Sequence, residues 1–396
     1  MKKQLAEFWQ IFKKTPLGRL IRFLSPQWLV DFLEHFPVAV LANIIYGFPS
    51  RKLTVIGITG TDGKTTTTNM IYRVLKDAGL KVSMVSTINA VLGNKIYDTG
   101  FHVTSPHSFT IQEFIKKAVN SGSEYLVLEV TSHGLDQHRF WGVQFDIGII
   151  TNITHEHLDY HKNFQNYVRA KSRLLKNVKT AVLNYDDPSF KKLRESAGGK
   201  VMSFGWSKQA DWNAENFPLK LKIPGDYNIE NALAAAVVAS SVGIEKKVIK
   251  KSLERFTSLS GRMEEIENNR GVKIIVDFAH TPNALEKVLV TLHSDTRSKL
   301  ISVFGCAGAR DKGKRPLMGA VSAKYADITI LTDEDPRFED RESIIDDIAA
   351  GAYQQKAIDG KTLFREPDRF KAIKLALEMA KKGDTVGIFG KGHEQS

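Results

Sequence analysis

The feature that most restricts this chain is Gly57-Ile58-Thr59-Gly60-Thr61-Asp62-Gly63-Lys64-Thr65-Thr66-Thr67, which follows the apolar run Leu53-Thr54-Val55-Ile56. A β-branched run, a glycine-rich turn and then Met70, Ile71, Val74 and Leu75 at helical spacing predict strand, loop and helix. Counted from Gly57, the spacing to Gly63-Lys64-Thr65 is one residue longer than G-x-x-x-x-G-K-[ST], so Thr59 or Gly60 opens the loop. Glycines let backbone N–H groups curl around phosphate oxygens at a helix N-terminus, where the dipole already favours an anion. The expectation is a nucleotide cradle of Gly60, Thr61, Gly63 and Thr66, with Lys64 on the β/γ-phosphates and the Thr65 hydroxyl facing Mg²⁺.

A chain of 396 residues is long enough for about two or three domains. Its single cysteine, Cys306, excludes a disulfide framework and a cysteine-built zinc site, and suits a small buried residue. No signal-peptide pattern opens the chain, so a cytoplasmic location is expected. A net charge of +12 points to acidic partners such as nucleotides or phosphorylated substrates. No run of interleaved basic and aromatic residues suggests RNA, and nucleic acid is not expected.

Residues 1–50 differ from the rest. Leu5, Phe8, Trp9 and Phe12 share one helical face ringed by Lys2, Lys3, Lys13 and Lys14, and the stretch Phe36 to Phe48 carries no charge. That stretch is shorter than the roughly 20 residues of a bilayer span. Two readings stay open: helices packed on the next domain, or peripheral docking on a membrane surface. From Leu53 onward, strands alternate with helices, the pattern of a parallel sheet covered on both faces. Strands are expected at 53–58, 82–86, 125–130, 147–151, 181–184 and 201–204, and an alanine-rich helix over 232–241. The pattern restarts near Ser258–Arg262, so the expected layout is a helical segment 1–50, a nucleotide-binding α/β domain 51–258 and a second α/β domain 259–396. Strands of the second domain are expected at 273–277, 300–304, 328–331 and 385–389. The chain stops just past the last of these, which suggests a truncated end. Ligands of such sheets sit beyond the strands' carboxyl ends. Glu129, Thr151-Asn152 and a cluster of histidines, His133, His138, His155, His157 and His161, fall there, and imidazole with carboxylate suits a divalent cation.

Seven collinear stretches carry a resemblance. Thr59 to Thr66, Glu129 to Leu135, Thr151 to His161, Asn228 to Ala232, Gly261 to Glu264, Asp277 to Pro282 and Gly305 to Arg315 resemble the Mur ligases, and most of all their UDP-N-acetylmuramoyl-tripeptide synthetase (MurE-type) branch. The resemblance covers residues 50 to 396. It implies a central P-loop domain of parallel sheet followed by a Rossmann-like C-terminal α/β domain. The implied activity is ATP-dependent amide-bond formation through an acyl phosphate, adding an amino acid to a UDP-muramoyl-peptide in peptidoglycan synthesis.

By the same resemblance Lys64 and Thr65 contact phosphate and Mg²⁺, Glu129 and His157 hold a second Mg²⁺, and Lys171 carries a carbamate that binds metal. Asn231 contacts adenine, and Arg262, Asp277 and Arg310 contact ATP. Thr104, Ser105, Ser132 and Arg139 meet the UDP-muramoyl-peptide, while Asp335, Arg337 and Glu394 meet the incoming amino acid. A monomer is expected. The chain departs from the pattern at Asp62, where asparagine is commoner, at Ala309, where aspartate is usual, and at Asp335, where asparagine is usual. Its first 50 residues are also too few to rebuild the family's uridine-binding domain. Arg337 favours meso-diaminopimelate over lysine, because its fork can hold a distal carboxylate. The alternatives are a ligase of the folylpolyglutamate synthetase type and a non-catalytic nucleotide-binding partner.

Overall fold

The computed structural model describes residues 27–98 and 106–392. The stretch around Leu5–Lys14, together with Thr104, Ser105 and Glu394, lies outside them. The strands form two sheets. The first runs over β1 (Thr54–Thr59), β2 (Val82–Val85), β3 (Asn89–Leu92), β4 (Lys95–Asp98), β5 (Tyr125–Glu129), β6 (Ile147–Ile150), β7 (Thr180–Asn184), β8 (Lys200–Gly205) and β9 (Trp212–Asn213), in the order β4-β3-β2-β5-β1-β6-β7-β8-β9. The second contains β10 (Glu264–Glu265), β11 (Lys273–Asp277), β12 (Leu300–Phe304), β13 (Ile328–Leu331), β14 (Leu363–Arg365) and β15 (Thr385–Phe389), in the order β10-β11-β15-β12-β13-β14.

The central strands are short β-branched runs buried almost end to end, as in β1, β2, β6 and β12. Strands covered by helices on both faces have no polar face to show. Both sheets are parallel at their centres and antiparallel at one edge, where β3 pairs with β2 and β4, and β10 with β11. The β3–β4 hairpin escaped the sequence reading, although Gly93-Asn94 between Val91-Leu92 and Lys95-Ile96-Tyr97 was its signal. Gly93 takes φ +60°, which a two-residue hairpin turn needs. Strands β9, β10 and β14 were missed as well; each has only two or three residues. The alanine-rich helix starts earlier than expected, at Asp226, and runs to Ser241. It packs with the helix Lys64–Asp77 in one core, where its alanines let the two backbones approach.

The uncharged N-terminal stretch runs through the second half of the helix Gln27–Tyr46, and its last two residues, Gly47 and Phe48, lead out of it. Its Ala39, Ala42 and Asn43 are buried, and Asn43 donates to the Trp141 carbonyl at 2.6 Å. The helix packs on the helix Ser108–Asn120. No helix among the described residues is long and apolar enough to cross a membrane.

Strand order positions the site. β1 lies between β5 and β6, so the loop after β1 emerges between two other strand ends. This is where an open α/β sheet presents its ligand crevice.

Candidate active site

β1 runs to Thr59, and Gly60 begins the loop. Gly63 then stands at φ +81° as the N-cap of the helix that opens with Lys64. A Cβ on Gly63 would lie 2.3 Å from Asn231 Oδ1, so only glycine lets the loop pass this close to the neighbouring helix. The first N–H groups of that helix have no intrahelical acceptors, and Gly63, Lys64, Thr65 and Thr66 all line one cleft. Lys64 Nζ donates to the loop's own carbonyls, Gly60 O at 3.1 Å and Thr61 O at 2.7 Å. Burial pushes its ammonium pKa down, against the pull of Glu129 and Asp62.

The register of β1 with β5 sets Ile58 opposite Glu129. Glu129 is buried, and both its oxygens lie 3.1–3.2 Å from the Thr65 hydroxyl. The other contacts come from Thr87, which donates from its backbone N–H at 2.9 Å and its hydroxyl at 2.8 Å. Thr87 was not singled out in the sequence, although its place just beyond the end of β2 was a signal.

Beyond β5 and β6 the histidines gather. The His133 ring lies 4.8 Å from that of His157 and 5.4 Å from that of His161, and His161 Nε2 is 3.0 Å from Ser132 Oγ. Burial lowers all three pKa values: His133 to about 3, His161 to about 4, and His157 well below its ordinary value. Nearby cations push the same way. These imidazoles are therefore neutral at pH 7 and offer ring nitrogens rather than positive charge. The other two histidines lie apart from this trio: His138 packs against Phe32 and Phe36, and His155 pairs with Asp311 at 3.2 Å.

Lys171 lies behind the phosphate loop rather than in the cleft. It is 1% exposed, its Nζ donates to Gly60 O at 2.6 Å, and it stands 4.5 Å over the Tyr167 ring. Burial, and then the neighbouring Lys64, push its pKa well below that of an ordinary lysine.

The second sheet closes the cleft from the other side. The Asp62 carboxylate accepts from Thr281 Oγ1 at 3.1 Å and Asn283 Nδ2 at 2.8 Å, at the start of the helix Pro282–Asp295. Lys314 is buried and donates to Glu156 Oε1 at 3.3 Å and His280 O at 2.7 Å. The resulting cleft holds about 750 Å³ and is lined from both sides. Arg139 and His157 stand on one wall, and Arg262, Arg310, Arg337 and Lys391 on the other. Asn231, Tyr227, Phe256, Leu259 and Met263 also line the cleft.

Residues 58–239 match the Mur ligase middle domain, and residues 261–392 match the Mur ligase glutamate ligase domain. A UDP-N-acetylmuramoyl-L-alanyl-D-glutamate--2,6-diaminopimelate ligase of Clostridium tetani is 40% identical over 378 residues, spanning 90% of this chain and 76% of that protein. The chain belongs to the Mur ligase family. A UDP-N-acetylmuramyl-tripeptide synthetase of Roseiflexus is 36% identical over 394 residues, 91% of this chain and 77% of that protein. Among solved structures, a 2,6-diaminopimelate ligase of the same description superposes with a TM-score of 0.59 at 31% identity, covering 86% of this chain and 74% of that one. A folylpolyglutamate synthase of Mycobacterium tuberculosis gives a TM-score of 0.70 at 15% identity over 92% of this chain and 96% of its own, a likeness of fold alone.

In this Mur ligase most of the described residues expected from sequence line the cleft; Lys171 does not, and three others carry qualifications. Ser132 is buried and bonded to His161 rather than open to the cleft. Asp277 lines the cleft, but its oxygens accept from the Met263 and Ala279 N–H groups, both at 2.8 Å, so it also ties two loops together. Arg337 is paired with its near neighbour Asp335 at 3.3 Å, so its guanidinium already has one carboxylate beside it. Cys306 is buried against Met318, and burial pushes its thiol up to about 12, which leaves it inert. Among the described residues no group of three or more His, Cys, Asp and Glu side chains is gathered to hold a metal.

Proposed function

We propose that this chain uses ATP to join an amino acid, meso-diaminopimelate in the first reading, to the free carboxylate of a UDP-N-acetylmuramoyl-dipeptide, releasing ADP and phosphate. The observation that carries this is the convergence, in one two-sided cleft, of a phosphate loop, a buried carboxylate beside it and four cations on the opposite wall. The names of the relatives at about 40% identity favour the same acceptor and amino acid.

ATP fits the cleft by its donors. The Lys64 ammonium, hydrogen-bonded to two loop carbonyls, can turn to the β/γ-phosphates, and the helix N-terminus behind it suits the same anion. Asn231 and the apolar side chains near it are placed to take the adenine. Arg262 and Arg310 face the phosphate loop from the other side, where they can neutralise charge that builds up as the γ-phosphoryl group moves. Mg²⁺ typically takes few protein ligands and fills its sphere with water and phosphate oxygens. The Thr65 hydroxyl and Glu129 carboxylate, 3.1–3.2 Å apart, suit it, and neutral His157 could serve a second ion. Such an ion would offset the charge of the phosphates.

Lys171 is suited to carbamate formation. A buried amine with a depressed pKa keeps its lone pair free at neutral pH. The lone pair attacks CO₂, an N–C bond forms as one C=O π bond opens onto oxygen, a proton leaves the nitrogen, and a neutral amine becomes an anionic carbamate beside the phosphate loop. Arg139 is placed for the diphosphate of the acceptor, since its planar fork meets phosphate oxygens in pairs. Arg337, which lines the cleft beside Asp335, carries a guanidinium that suits a distal carboxylate on the amino acid. The chain is expected to act in the cytoplasm as a monomer.

ADP release in the presence of UDP-muramoyl-dipeptide, across a panel of amino acids, tests this. Turnover should require both acceptor and amino acid, be fastest with meso-diaminopimelate and fall by orders of magnitude in Lys64→Ala. ADP release indifferent to the acceptor would overturn the ligase reading. Faster ligation of lysine, unaffected by Arg337→Ala, would replace diaminopimelate by lysine.

A further inference from the structure

The helix Gln27–Tyr46 is apolar on two sides but covered on one. From Phe36 to Tyr46 it has no charged residue. Ala39, Ala42 and Asn43 face the protein, whereas Leu33, Leu41, Ile44 and Ile45 face outward, with Ile44 61% and Leu33 50% exposed. The spacing 33, 37, 41, 44 and 45 is a single helical stripe, and Pro37 within it is also exposed. A helix that is hydrophobic all round is normally covered all round.

The occupant is narrowed by size and charge. From Leu33 to Ile45 the stripe is about 18 Å long and about 10 Å wide. That is about a quarter of the roughly 800 Å² that each partner of a stable dimer buries. Basic residues bracket it. In sequence, the 26 residues leading into the helix carry Lys2, Lys3, Lys13, Lys14, Arg19 and Arg22 against Glu7, and the helix itself adds two acids, Asp31 and Glu34, in its first half, so the basic excess remains. Arg51 and Lys52 stand exposed just past its end. Trp141, partly exposed, packs edge-on against Phe36 of the helix, and amphipathic aromatics of this kind favour the headgroup level of a bilayer. We propose that the outward face of the helix Gln27–Tyr46 docks this protein on an anionic lipid surface, lying in the headgroup region without crossing it. The loop that holds Trp141 also carries Arg139, which lines the cleft. Docking therefore sets one lip of the cleft beside the headgroups.

Flotation of the full chain with vesicles of phosphatidylcholine and about 30% phosphatidylglycerol tests the proposal. The protein should float with these vesicles, several-fold less with pure phosphatidylcholine, and less again at 0.5 M NaCl, where charge attraction is screened. Replacing Leu41→Asn and Ile44→Asn together should cut the vesicle-bound fraction at least tenfold. Both side chains are exposed, so ligation in solution should be unchanged. Failure of the parent chain to float would overturn the proposal, as would equal flotation of the double variant. So would a dimer in sedimentation that the double variant abolishes, because a second copy would then cover the face.

Discussion

Lys314→Met removes the cation from a buried pair that ties the loop after β6 to the helix Lys314–Tyr325. Glu156 and Lys314 are 4% and 3% exposed, and Glu156 Oε2 has no hydrogen-bond partner. Lys314 is therefore the main group favouring the ionised form of Glu156, against a burial that raises its pKa. Breaking a buried pair costs about 3–5 kcal/mol, but Glu156 has an escape, because it can take up a proton. Protonating a carboxyl of pKa about 4.3 at pH 7 costs about 2.7 pH units at roughly 1.4 kcal/mol each, or about 3.7 kcal/mol, which caps the loss. In the variant the folded state then binds one proton more than the unfolded state. Its stability must fall as pH rises, by about 1.4 kcal/mol per unit, and recover to a loss of about 1.6 kcal/mol near pH 5.5. Urea unfolding at pH 5.5, 7 and 8, followed by circular dichroism, measures this. Adding Glu156→Gln should recover part of the loss and flatten the slope, giving a coupling of about 0.5–3 kcal/mol in the double-mutant cycle. A pH-independent penalty, or strictly additive single variants, would refute the reasoning.

Two further outcomes follow from the same site. Lys171→Ala should be nearly inactive yet folded, with activity partly restored by millimolar acetate or formate if an anion belongs at that position; full activity without rescue would contradict the carbamate. His133 and His161, held at about 3 and about 4, take up protons in the unfolded chain first. Below pH 6.5 their contribution to stability should shrink progressively, and His161→Asn should flatten the slope of unfolding midpoint against pH between 6 and 4.

The sequence by itself determined the local devices. Glycines at 60 and 63 dictate a loop that side chains would block, and β-branched runs bounded by polar residues dictate buried strands. The collinear motifs dictate the family. These properties are short-range, set by backbone sterics and by alternation of burial, and need no knowledge of what lies across the sheet. Only the tertiary structure decided which polar groups meet. Glu129 reaches Thr65, 64 positions away, because β5 pairs with β1 in one register; a shift of one residue would turn its side chain to the opposite face. Taken alone, the sequence makes Lys171 a surface lysine. Burial beneath Gly60, 111 positions distant, makes it an amine with a depressed pKa, because desolvation depends on everything packed around a group rather than on its neighbours in the chain. The same holds for the helix Gln27–Tyr46. Composition made its second half apolar, and packing chose which face to cover and which to leave exposed.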